Sequence, residues 1–226
     1  PQAACYDWLH RHRADVATAL GEARLLLVCD VGGGTTDLTL IQIETGEAGP
    51  RLTRIGVGDH LMLGGDNMDL TLARTIESRL GGGRLNAGEL SQLLQQCRGA
   101  KERLLATDAP ERTSVTVLGG GTQLIGGARS AELSRAEVWA LLVDGFLPRV
   151  GSAERPQSRR AAVVEFGLPY AADPAISRHL AAFLAQHADA ARQALGKRAL
   201  PSYPLMPDAV LLNGGVFHSV SLAARL

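Results

Sequence analysis

The stretch Asp30-Val31-Gly32-Gly33-Gly34-Thr35-Thr36-Asp37 limits what this chain can fold into more than any other. Before it runs Leu25-Leu26-Leu27-Val28-Cys29, and after it Leu38-Thr39-Leu40-Ile41-Gln42-Ile43, both apolar and of strand length. An unbroken apolar run of that length belongs to a strand buried on both faces. The pattern is therefore strand, glycine turn, strand, inside a layered α/β domain. Glycine costs conformational entropy, so three in a row need a reason. Without Cβ atoms the backbone can approach a ligand closely, and successive N–H groups can form an anion nest. Thr35 and Thr36 add hydroxyl donors. Asp30 and Asp37 repel phosphate, but they suit a magnesium ion held through water, or the orientation of an attacking water. A Walker loop carries lysine and opens a helix, as does the dinucleotide fingerprint. Here there is no lysine, and a strand follows. A tight hairpin without a ligand is the competing reading; the two aspartates and two threonines favour phosphate.

The rest of the chain alternates in the same manner. Residues 1–20 carry a helical stripe closed by Gly21. Residues 51–57 make a third strand, giving a three-stranded meander. After a loop over 58–65, Asp66 or Asn67 caps a helix reaching Leu80, ended by Gly81-Gly82-Gly83. A further helix spans about 87–106. Residues 113–118 and 123–126 read as a hairpin around Gly119-Gly120-Gly121, for which a plain turn is favoured over a second phosphate loop. Ser134 and Glu137 form a capping box for a helix running to about Val150. Residues 151–160 are a polar, basic loop and 161–166 a strand. Asp173-Pro174 starts a helix that closes at Gly196. A proline-rich connector covers 200–207. Ala209-Val210-Leu211-Leu212-Asn213 is a buried strand, and Gly214-Gly215 turns it into a helix capped by Ser219.

Composition excludes several classes of function. Twenty-three basic residues balance 23 acidic ones, and aromatics are 4%. That argues against a general grip on nucleic acid or anionic membrane, and against base-stacking platforms. No apolar stretch is long enough to span a bilayer, and no signal peptide is visible. Cys5, Cys29 and Cys97 are scattered, which fits free thiols in a reducing, cytoplasmic setting and neither a disulfide framework nor a zinc site. His10 and His12, flanked by arginines, read as a solvated turn, and Trp8 and Trp139 as core or interface anchors. The chain opens on Pro1 and not Met, as expected of an excised or processed piece.

Four motifs, in order, resemble those of the DnaK-type heat-shock chaperones, within the actin-like ATPases. Asp30 to Asp37 resembles the phosphate hairpin Asp-Leu-Gly-Gly-Gly-Thr-Phe-Asp, with Thr36 in place of Phe. Leu63-Gly64-Gly65-Asp66-Asn67-Met68-Asp69 resembles Leu-Gly-Gly-Glu-Asp-Phe-Asp. Cys97 to Leu105 is similar to Cys-Glu-x-Ala-Lys-Arg-x-Leu-Ser. Val210 to Gly215 resembles the adenosine motif Val-Leu-Val-Gly-Gly-Ser. Pro1 to Ala4 also looks like the Pro-Thr-Ala-Ala that opens the helix crossing between lobes.

The resemblance implies an α/β fold of the actin-like ATPase (ribonuclease H-like) type, second lobe. Residues 1–59 with 133–226 would be the core subdomain, and 60–132 an inserted α+β subdomain on the adenosine side. It implies ATP or ADP with Mg2+ as ligands, Asp30 in the magnesium shell through water, and Asp37 positioning water. Gly32, Gly33, Gly34, Thr35 and Thr36 would meet phosphate, with Thr35 close to the chemistry. Gly64 and Gly65 would lie beside the nucleotide, Lys101 would reach the adenosine, and Gly214 and Gly215 would pack against it. Client polypeptides, with J-domain or nucleotide-exchange co-chaperones, would be partners of a full-length chaperone; nucleic acid and membrane would not. This lobe alone is expected to turn over negligible ATP, because the opposite lobe carries the remaining catalytic groups.

The chain departs from the pattern at Arg98, Glu102, Leu105, Val216 and His218, where the family has adenosine-contacting Glu, Arg and Ser on the Lys101 helix and Ser and Arg after the Gly pair. The stretch 151–207 has no counterpart. A non-catalytic actin-like scaffold, a sugar kinase or a filament protein are the alternatives. On residue type alone, Lys101 is a solvated lysine, Asp66 and Asp69 are helix-cap or dipole residues, His218 is a helix-start residue, and for Gly214-Gly215 a close turn and a ligand contact compete evenly.

Overall fold

The computed structural model describes residues 1–13, 15–46, 49–81, 83–119, 127–157, 164–165, 168–169, 171–196 and 205–226. Helices α1 (Gln2–Arg11) and α2 (Val16–Leu20) precede strands β1 (Leu25–Val31), β2 (Thr36–Gly46) and β3 (Gly49–Val57). Helices α3 (Gly65–Leu80) and α4 (Ala87–Leu104) follow, then strands β4 (Arg112–Leu118) and β5 (Ala128–Ser134). Helix α5 (Arg135–Val138), a wide π turn over Trp139–Val143 and α6 (Asp144–Phe146) come next. The short strands β6 (Val164–Glu165) and β7 (Leu168–Pro169) pair with each other, ahead of α7 (Ile176–Gln186) and α8 (Ala188–Leu195). Strand β8 (Ala209–Asn213), a 3-10 turn over Gly215–His218 and α9 (Val220–Ala223) complete the order.

The main sheet is mixed, in the order β3-β2-β1-β8. β1, β2 and β3 form an antiparallel meander, and β8 joins β1 in parallel. β1 is covered on both sides, which is why its sequence is apolar from Leu25 to Cys29, with Asp30 only near its carboxyl end. On one face Leu25, Leu27, Cys29 and Val31 join the large core with Leu72 and Ile76 of α3, Leu93 of α4 and Phe183 of α7. On the other, Leu26 and Val28 pack with Ile41, Ile43, Cys5 and Leu9 of α1. The thiols of Cys29 and Cys97 lie in the core, and burial pushes both up to about 12, with the nearby carboxylates of Asp30 and Asp69 adding to it.

The hairpin β4-β5 packs on α3 and α4. The expected second strand over 123–126 and part of the glycine turn, Gly120 and Gly121, lie outside the described residues, as does most of 161–166 and of 200–207. The strand pairing β4 is β5, over 128–134.

Several boundaries differ from the sequence pattern, each for a local reason. The first helix breaks after Arg11, because the His12 ring takes Nδ1 to the Trp8 carbonyl at 2.9 Å and stacks on the indole. α3 starts two to three residues earlier than a cap at Asp66 or Asn67 allows: Gly64 caps it, and Asn67 Oδ1 accepts from the Gly64 N–H at 2.8 Å. The helix from Ser134 does not run to Val150; it widens into the π turn and ends at Phe146. Asp173 does not cap a helix at Pro174. Its buried carboxylate accepts from the Ala175 and Gln157 N–H groups, and α7 begins at Ile176. The segment to Gly196 is two helices, broken at His187, whose ring turns edge-on to Phe183.

The capping box at Ser134 forms as expected. The Glu137 N–H donates to Ser134 Oγ at 3.2 Å, and the Ser134 N–H and hydroxyl both donate to Glu137. The Ser134 backbone N–H, then Arg79, hold the Glu137 carboxyl down at about 2 against an ordinary 4.5. A carboxyl depressed on folding stabilises fully above its unfolded value and loses that contribution as pH falls through its folded value. Glu137→Gln should cost about 1 kcal/mol at pH 7, an ordinary cap value given its exposure to solvent. Paired thermal melts should show that gap constant above about pH 5 and shrinking toward pH 2; a gap independent of pH contradicts this account.

Candidate functional site

The glycine hairpin closes where β1 becomes β2. The Gly32 N–H donates to the Thr35 carbonyl at 2.9 Å, and Asp30 stands directly opposite Asp37 across the ladder. On its other side Asp30 pairs in register with Asn213 of β8. In-register neighbours share a face, so Asp37, Asp30 and Asn213 form a polar row across three strands at the carboxyl end of β1. Thr35 Oγ1 reaches Asp37 Oδ2 at 3.4 Å, and His60 Nδ1 meets Asp37 Oδ1 at 2.7 Å. Thr36 is fully buried and donates its hydroxyl to the Leu63 carbonyl at 2.7 Å, so that group is committed to the loop and not to the turn.

The start of α3 docks on this turn. The Gly65 N–H donates to the Gly32 carbonyl at 3.0 Å and the Asp66 N–H to the Gly33 carbonyl at 2.7 Å. A Cβ on Gly64 would sit 2.5 Å from the Gly33 carbonyl oxygen and 2.6 Å from that of Gly32. The carbonyls of Gly32 and Gly33 are turned to α3, and the N–H groups of Gly33 and Gly34 find no acceptor among the described residues. Free amides in a turn with no side chains are what an anion nest requires.

β8 approaches from the other side. Gly214 has φ +93°, and a Cβ there would lie 2.2 Å from the Val31 carbonyl oxygen and 3.0 Å from Asp30 Oδ1. The chain crosses over the end of β1 at a separation only glycine permits. Gly215, next along, faces open space.

Lys101 of α4 reaches into the same region. Its Nζ lies 2.6 Å from Asp69 Oδ1, a close charge contact, and 3.3 Å from the Gly65 carbonyl. Arg98 bridges Asp66 at 2.6 Å and Asp69 at 3.0 Å. Asp69 is 3% exposed and Lys101 12%. Neither is a solvated surface residue, as residue type alone would have it. Asp69 was legible in principle: it falls on the buried stripe of α3 with Gly65, Met68, Leu72 and Ile76, where a charge needs a partner.

These elements enclose a cleft of about 740 Å3. Gly32, Gly33, Gly65, Lys101, Gly215 and Val216 line it, with Arg98, Glu102, Leu105 and His218 further along. Gly34, Thr35, Asp30, Asp37, Gly64 and Gly214 stand behind or beside that lining. The sequence-predicted residues therefore gather in or around one cleft, although they come from four distant stretches. His60, Asn213 and the Arg98–Asp66 pair were not picked out by sequence. A hollow of about 830 Å3 between Leu147–Ser152 and α7 holds none of the predicted residues. Among the described residues no cluster of three or more potential metal ligands occurs, and no helix is long and apolar enough to cross a membrane.

No family model matches the chain. Among curated proteins it is similar to chaperone protein HscA homologs. The match is 32% identical over 122 residues in Acidithiobacillus ferrooxidans, 54% of this chain and 18% of that protein. It is 32% over 128 residues in Ralstonia nicotianae and 34% over 131 residues in Methylococcus capsulatus, each 57% of this chain and 19% of the relative. The matched stretch thus spans about a fifth of the relatives' length. The fold and cleft define a mixed α/β domain with a glycine-lined site, and the particular proteins it is akin to are chaperones.

Proposed function

We propose that this chain is the second nucleotide-binding lobe of a DnaK-like chaperone of the actin-like ATPase type, and that the cleft takes ATP or ADP. One observation carries the reading. In the turn Gly32–Gly34 the Gly33 and Gly34 amides have no acceptor among the described residues, and Gly32 and Gly33 line a cleft whose other walls include Gly65, Lys101 and Gly215, with similarity to chaperones behind it. The residues fit a polyphosphate: amides for its oxygens and missing Cβ atoms for its approach.

Magnesium fits here as a water-bridged ion. Asp30 would hold it through water, since the described residues offer no three-carboxylate cage. The ion would neutralise charge on the phosphates. Gly32, Gly33, Gly34 and Thr35 would bind the phosphates, and Asp37 would orient the attacking water. Gly64 and Gly65, Gly214 and Gly215 would let backbone close on the nucleotide, with Lys101 on the adenosine side. In the whole protein, hydrolysis would alter lobe closure and so client binding, with co-chaperones acting on that cycle.

A nucleotide-free scaffold is the second reading, favoured by Arg98, which Asp66 and Asp69 already occupy, and by Glu102 in the cleft wall. Steady-state hydrolysis separates the two. The isolated lobe should show negligible turnover, and a protein carrying both lobes should show magnesium-dependent turnover that Asp30→Asn lowers at least about tenfold. Robust turnover by the lobe alone, or no effect of Asp30→Asn, contradicts the proposal.

A further inference from the structure

The loop from β3 to α3 is laid along the first residues of β2 by a set of hydrogen bonds. The Gly58 N–H donates to the Leu38 carbonyl at 2.9 Å. Thr36 and Leu61 exchange two backbone bonds, at 2.9 and 3.2 Å. The Thr36 hydroxyl reaches the Leu63 carbonyl at 2.7 Å. This stitching sets His60 beside Asp37, one residue from Leu61. The carboxylate of Asp37 has partners on both oxygens: His60 Nδ1 on Oδ1 at 2.7 Å, and Thr35 Oγ1 on Oδ2 at 3.4 Å. The histidine contact is much the closer.

A strand fixes the Cα of an aspartate but leaves its terminal torsion broad and two-fold. Whatever Asp37 does to a water depends on where its lone pairs point. We propose that His60 is a positioning residue, which locks the Asp37 carboxylate through Nδ1 so that its remaining lone pairs face the glycine turn. This rests on the reading of Asp37 as the water-orienting carboxylate. An ionised carboxylate only accepts, so Nδ1 carries the proton and Nε2 is left toward solvent. The ring itself is 63% exposed, so the pair is not a packing device of the core. The same loop continues into Gly64 and Gly65, so one segment sets both the cleft wall and the carboxylate.

Single-turnover hydrolysis of MgATP by a protein carrying both lobes tests this. His60→Ala should lower kcat by about 10- to 100-fold, because catalytic geometry tolerates only about 10–20° of error. Its KM for ATP should stay within about twofold and its thermal melt should superimpose on the wild type, since an exposed ring away from the core contributes little to either. His60→Asn, whose side-chain amide places a donor where Nδ1 stood, should recover most of kcat. An unchanged kcat in His60→Ala, or His60→Asn as slow as His60→Ala, overturns the role of His60. Absence of MgATP binding by the wild type overturns the nucleotide reading on which it stands.

Discussion

Gly214→Ala should destabilise this protein by more than about 4 kcal/mol, a value met only when a specific structural feature is broken. Two costs add. The residue sits at φ +93°, where an L side chain is strained, and its Cβ would lie 2.2 Å from the Val31 carbonyl oxygen. That oxygen belongs to the last residue of β1, so it can yield only by moving the central strand. Gly215→Ala is the control: nothing lies within 4 Å of its Cβ, so stability should hold within about 0.5 kcal/mol. Since Gly215 lines the cleft, that substitution should act on ligand binding alone. Urea titrations of the two variants check both statements. Equal midpoints for Gly214→Ala and wild type would show that the chain leaving β8 does not cross the end of β1 as described.

Asp69→Ala should cost about 3–5 kcal/mol, the usual result of removing one partner from a buried ion pair. Lys101 is 12% exposed and would lose the carboxylate 2.6 Å away, keeping only the Gly65 carbonyl at 3.3 Å. Arg98 would suffer less, being 57% exposed and still held by Asp66. The double substitution Asp69→Leu with Lys101→Met removes both charges. It should recover most of the loss, because an apolar pair of similar volume avoids the desolvation penalty. The ion pair also joins α3 to α4 along the cleft wall, so the single variant should weaken any ligand bound there. Thermal melts of the three proteins give the comparison. A cost near zero for Asp69→Ala would mean that Asp69 and Lys101 are solvated.

What the sequence made legible was local in range. The run before Gly32–Gly34 announced β1 because a doubly buried strand needs an apolar residue at nearly every step, and the largely apolar run after it announced β2. Ala209–Asn213 announced β8 as a strand but not as the buried one expected: it is an edge of the sheet, none of its residues is fully buried, and Val210 is 49% exposed. Ser134 and Glu137, three residues apart, announced their own capping box. The gathering of the hairpin, Gly65, Lys101 and Gly215 at one cleft followed from resemblance and not from spacing. The illegible features depend on contacts between distant segments. His60 reaches Asp37 only because the loop pairs with Thr36, 25 residues earlier in the chain by Leu61. His187 breaks a helix whose apolar stripe continues through it. Arg98 and Lys101 read as surface charges until Asp69 is seen inside the core.

Calorimetric titration of magnesium-ADP into this chain tests the central claim most directly. The account predicts saturable, magnesium-dependent heat from one site, lost when Gly33→Val fills the turn and retained in Gly215→Ala with altered affinity. No binding, either to this chain or to a protein carrying both lobes, would contradict it and leave the glycine-lined cleft as part of a nucleotide-free scaffold.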